Sequence, residues 1–150
     1  MTSVTASSYY DLLLINNSNN HFSVVAGSDQ LFENNTINGG GTGISITTTA
    51  YDISVRNNFV NSTSYGLRLQ GTSNNTFTNN TISAYNGYAL RVDSTADNYI
   101  INGSLSGFFN DVYILGGNTT LINVDFNRSS VLFTSGNVIT QWYLDVNITN

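Results

Sequence analysis

The sequence contains no cysteine and no proline, and its four basic side chains are all arginine. Without thiols there is no disulfide and no thiolate metal site, and cysteine usage says nothing of the redox compartment. Lysine is absent, and glutamate occurs once, at Glu33. Charged residues make up only 9% of the chain, against about a quarter in an ordinary soluble domain. The net charge is -5, so almost nothing is available to neutralise a phosphate backbone and nucleic-acid binding is not expected. No apolar run reaches the length of a membrane span. Leu12–Ile15 is also too short, and lacks the basic flank, for a signal sequence. An export signal would therefore lie outside these residues.

Asparagine, serine and threonine crowd the chain and must supply its solubility, while β-branched and aromatic residues outnumber good helix formers. With 150 residues and a hydrophobic fraction of 40%, the composition describes one folded all-β domain. Its order is periodic. Asn34, Asn57, Asn79, Asn102 and Asn123 each lie two residues after one apolar residue and three before another, at spacings of 23, 22, 23 and 21. Apolar-x-apolar pairs keep step: Phe22 with Val24, Ile44 with Ile46, Leu67 with Leu69, Leu90 with Val92, and Val112 with Ile114. Two signals in phase over five turns define a repeat whose units cannot bury their apolar faces alone. Leucine-rich repeats share this period, but the leucines are too few and the strand pieces too many.

Stacked as coils, the repeats send Ile44, Leu67, Leu90 and Val112 into one internal row and Ile46, Leu69, Val92 and Ile114 into another. Ile37, Val60, Ile82, Leu105 and Phe126 make a third. The recurring asparagine suits a corner with positive φ, and its amide is expected to bond the coils above and below. Gly43, Gly66 and Ala89 mark a second corner where a larger side chain would clash. The segment Gly66-Leu67-Arg68-Leu69, followed by residues 73–83 with Asn74-Asn75 and Asn79-Asn80, resembles the repeat of the parallel β-helix family, in its asparagine-rich NosD-like form found in archaeal and bacterial surface proteins. The resemblance covers about residues 20–127 and implies a right-handed parallel β-helix. Residues 9–135 are expected to form about five coils. Beyond Gly136 the repeat is expected to give way to one long strand over 136–150, which caps the helix or leads to another domain or subunit.

NosD-like proteins are associated with copper delivery, but one histidine, one methionine and no cysteine do not make a copper site. His21 reads as a turn residue, and no cofactor or metal is expected; Asp52, Asp93 and Asp97 form no dense calcium loop. The candidate site for an acidic carbohydrate or other anion is the outward row Arg68, Arg91 and Tyr113, with Asp93 two residues beyond Arg91. Two arginines at strand spacing repel unless a carboxylate or an anionic ligand lies between them. Catalysis would need an acid and a base in a cleft, and among Asp93, Asp97 and Asp111 no pair stands out by spacing. Nine glycosylation sequons occur, yet Asn57 and Asn123 hold the repeat position without one. Asn61 and Asn118 are the candidate glycan acceptors. The expected function is a non-catalytic spacer or assembly module of an extracellular or cell-surface protein, with the periplasm as the alternative location. Two others stand beside it: a β-helix that binds or cleaves acidic glycans, as a lyase or glycoside hydrolase, and an adhesion or receptor-binding β-helix. The expected partners are a glycan, a neighbouring domain or another copy reached through the C-terminal strand.

Overall fold

The computed structural model describes residues 3–10, 13–15, 18–19, 21–93 and 95–143. They form three parallel sheets that wind around one axis. The first holds β1 (Ser3–Tyr10), β4 (His21–Ser28), β7 (Thr42–Ala50), β10 (Tyr65–Gln70), β13 (Tyr88–Asp93), β16 (Asn110–Ile114) and β18 (Val131–Phe133), in that order. The second holds β2 (Leu13–Ile15), β5 (Leu31–Glu33), β8 (Ser54–Arg56), β11 (Thr76–Thr78), β14 (Thr95–Ile101), β17 (Gly117–Ile122) and β19 (Asn137–Gln141). The third holds β3 (Ser18–Asn19), β6 (Thr36–Gly39), β9 (Phe59–Ser62), β12 (Thr81–Ala84) and β15 (Ser104–Gly107). Every strand pairs with the strand one coil away, so the period of the sequence becomes the register of the sheets.

The three expected apolar rows are present. Leu67 aligns with Ile44 and Leu90, and Leu90 with Val112. Leu69 aligns in the same way with Ile46 and Val92, and Ile82 with Val60 and Leu105. Phe32, Val55, Phe77, Ile100 and Leu121 add a fourth buried row, from the residues that precede the repeat asparagines by two. Each fully buried large side chain contributes about 1.5–3 kcal/mol. Gly43 and Gly66 sit where the first and third sheets meet. A β-carbon on Gly43 would collide with Val60, and one on Gly66 with Ile82 and with the Ala89 carbonyl.

All five repeat asparagines have φ between 51° and 56°, as a corner requires. The stacked ladder expected of them is present only in part and on the surface: Asn79 donates to Asn57 (3.2 Å) and Asn123 to Asn102 (3.0 Å). The buried ladder belongs to the next residue, because the positive-φ residue faces outward and turns the following side chain in. The Asn58 Oδ1 accepts from the backbone N–H and the amide of Asn35 at 2.8 and 2.9 Å. The Asn80 Oδ1 does the same for Asn58, at 2.9 Å in both bonds. A second corner repeats the device. Asp29, Asp52, Asn74 and Asp97 also have positive φ. Behind them, Asn98 accepts from the N–H and amide of Asn75, and Asn75 from the Ile53 N–H. Asp52 and Asp97, weighed above as calcium ligands, are thus corner residues.

The expected end of the repeat at Gly136 is not observed. β18 pairs in register with β16, and β19 with β17, so two sheets continue into a further partial coil. The third sheet continues only as a parallel bridge between Ser104 and Asp125, and a 3-10 turn over Arg128–Ser130, capped by the Asn127 side chain, leads from it to β18. In place of one long strand, β19 spans five residues. Residues 144–150 of the expected strand lie outside the described residues.

Candidate functional site

The outward face of the first sheet carries the expected row. Register places Ser45, Arg68, Arg91 and Tyr113 side by side in successive coils, and Asp93 beside Gln70. Asp93 bridges both arginines, accepting from the Arg68 Nε at 3.2 Å and from the Arg91 Nε at 2.9 Å. The carboxylate is the more enclosed partner, 13% exposed against 31% and 22% for the two arginines. Partial burial works against the charge of Arg91, and its hydrogen bond and charge pairing with Asp93, helped by Tyr65, outweigh it. The guanidinium pKa is accordingly raised.

Tyr65 and Tyr88 complete this face, although sequence reasoning missed them. Arg91 donates to the Tyr65 hydroxyl at 2.7 Å and lies 4.9 Å from that ring's centroid. Tyr88 stacks on Tyr65 at 6.1 Å and on Tyr113 at 4.7 Å, and Phe109 leans on Tyr88. The signal was available: Tyr65 and Tyr88 are 23 residues apart, and each precedes the small residue of the glycine corner. Strand spacing puts Tyr65 and Tyr88 face to face, and Tyr88 leans along the sheet to cover one face of Tyr113.

The other acids near this face hold corners of the coil. Asp111 is buried, and its two oxygens accept the Gly107 and Asn127 N–H groups at 2.8 and 2.7 Å, which ties a corner to the last coil. Asp97 belongs to the second corner. His21, expected in a turn, opens β4, and its Nδ1–H donates to the Thr42 carbonyl at 2.6 Å. Of the two candidate glycan acceptors, Asn61 is half-buried and accepts from Ser83, whereas Asn118 is exposed and accepts from Asn137.

The family model for right-handed β-helix regions matches residues 5–106, more than half of the chain. The chain belongs to this right-handed β-helix family. No curated protein and no solved structure matches it. Among the described residues, the surface of this β-helix has concavities at two places of note. One, of about 440 Å³, opens at the C-terminal coil between Phe126, Val131, Phe133 and Val138, with Arg128 at its side. The other, of about 270 Å³, is a groove at the corner after the third sheet, between Tyr85 and Phe108.

Proposed function

We propose that this β-helix is a non-catalytic spacer or assembly module of an exported or cell-surface protein of the NosD-like kind, with the periplasm as the alternative location. The observation that carries the reading is the closure of the charged outward face on itself. Asp93 pairs with both Arg68 and Arg91, Arg91 also holds Tyr65, and Tyr88 stacks on both Tyr65 and Tyr113. Such a face stiffens neighbouring coils against one another. A coil adds about 4.8 Å to the axis, so repeats of this kind set a length as well as a shape. Assembly is supported by the last described coil. There, among the described residues, β18 and β19 each pair on one side only, and Leu132, Phe133 and Ile139 are exposed. Light scattering of the Leu132→Lys/Ile139→Lys double variant tests it: an assembly module loses its larger species. If the unaltered chain is monomeric at all concentrations, the spacer role alone remains. Release of unsaturated or reducing ends from an acidic polysaccharide, abolished by Asp93→Asn, would refute the non-catalytic reading.

A second reading, binding of an acidic glycan along Arg68, Arg91, Asp93 and Tyr113, is favoured by one detail. Arg68 meets Asp93 through Nε, so its two terminal nitrogens are not used by Asp93 and could pair with a carboxylate or sulfate. A screen of acidic glycans with Arg68→Ala and Arg91→Ala tests this; the absence of any binding removes it. Adhesion through trimerised β-helices is the third reading, and a stable trimer in solution would support it.

A further inference from the structure

The corner groove lies apart from the arginine face and outside every role assigned above. Its walls are residues in equivalent positions of successive coils. Ser83 aligns with Ser106 and Ala84 with Gly107, so Tyr85 and Phe108 are the first residues past the paired strands β12 and β15. Aromatic side chains so placed can stack, as the register partners Tyr65 and Tyr88 do. These two rings make no contact with each other among the described residues. The Tyr85 hydroxyl is bonded to the Thr63 hydroxyl at 2.7 Å, one coil back, while Phe108 packs edge-on against Phe109 at 5.3 Å. Each ring is held away from the other, and the space between them is the groove.

The floor is small by necessity. Ala84 is buried, and a β-carbon on Gly107 would collide with the Asn110 carbonyl and come within 2.8 Å of the Ala89 nitrogen. No residue larger than glycine fits that point. Ser83 and Ser106 supply the polar edge: Ser83 bonds the Val60 carbonyl and Asn61, and Ser106 is exposed. No charged side chain lines the groove. The walls remain open, with Tyr85 at 60% and Phe108 at 68% exposure.

We propose that the Tyr85–Phe108 groove binds a neutral pyranose unit of a glycan, held between the two rings with its hydroxyls toward Ser83 and Ser106. A pyranose offers an apolar C–H face to an aromatic ring and a rim of hydroxyls to polar neighbours, and the groove presents both surfaces in that order. An anion would find no cation here, and a purely apolar ligand would leave the serine edge desolvated.

The test uses the full chain against an array of neutral hexose oligomers of the glucose, galactose and mannose series, followed by titration calorimetry with the best binder. Tyr85→Ser and Phe108→Ser are each expected to weaken binding by about tenfold or more, as truncation of a binding anchor does. Arg68→Gln and Arg91→Gln are expected to leave it unchanged, which separates this groove from the acidic-glycan reading. Both ring positions are exposed, and an unchanged urea midpoint certifies that the variants fold. The proposal is overturned if no neutral oligomer binds or if the Tyr85→Ser/Phe108→Ser double variant binds as tightly as the parent. It is also overturned if light scattering shows self-association that the double variant abolishes, which would make the groove a contact between copies.

Discussion

Replacing Asn58 by alanine should destabilise the protein far more than the same change at its neighbour Asn57. The Asn58 side chain accepts from the Asn35 N–H and amide, and donates to the Phe32 carbonyl (3.1 Å), the Arg56 carbonyl (2.9 Å) and the Asn80 amide oxygen (2.9 Å). Alanine removes all five bonds from a position that is 3% exposed. At about 0.5–1.5 kcal/mol net per bond, with a further penalty for buried groups left dry, the loss is about 3 kcal/mol or more. Asn57 is exposed, and its side-chain bonds to Glu33 and Asn79 lie in solvent. The main cost of Asn57→Ala is its φ of 55°, which is worth about 1 kcal/mol. Asn57→Gly should be close to neutral, since glycine adopts that φ freely. Urea unfolding monitored by tyrosine fluorescence gives each value, provided the m-value holds across the variants. The reasoning fails if Asn57→Ala costs as much as Asn58→Ala, or if Asn58→Ala costs under about 1 kcal/mol.

Three further outcomes follow from the same geometry. Asp93→Asn leaves Arg68 and Arg91 facing each other without a carboxylate, so stability should fall by about 1–2 kcal/mol at low ionic strength and recover in part as salt screens the pair. A melting temperature that does not respond to salt would argue against this. Gly66→Ala places a β-carbon against Ile82 and 2.7 Å from the Ala89 carbonyl, an overpacking expected to cost about 1–3 kcal/mol; an unchanged urea midpoint would show that the corner can open. In a glycosylating host, peptide mapping should find more sugar at exposed Asn118 than at half-buried Asn61, and the reverse occupancy would contradict the burial argument.

Much of the coil was legible because the stacking is one-dimensional. An inward residue in one coil meets its counterpart one period later, so Leu67, Leu90 and Val112 could be placed in a row by counting. The same counting placed Arg68, Arg91 and Tyr113 together. It could not show that Asp93 reaches both arginines, because that depends on where long side chains lean across strands. It also put the corner ladder on the repeat asparagines, where it forms only in part, and did not find the buried one through Asn35, Asn58 and Asn80. Both members of each Asn-Asn doublet recur with the period, and only the backbone torsion at the corner tells which one turns inward. The second corner, at Asp52, Asn74 and Asp97, had the same spacing but mixed aspartate with asparagine, and so escaped the pattern. β18 and β19 were missed as coil strands because the last turn is shorter, its third strand shrinks to a bridge at Asp125, and a 3-10 turn fills the corner after it.

The sequence by itself determined that this chain is a parallel β-helix, which apolar rows it buries and roughly where it bends, since these follow from periodicity and from which residues tolerate positive φ. Only the tertiary structure decided which asparagines carry the buried hydrogen bonds, that the arginine face is closed by Asp93, and that Tyr85 and Phe108 stand apart over a glycine floor. Those features arise where side chains from successive coils choose between stacking on one another and bonding elsewhere, a competition settled by distances that no spacing in the chain records.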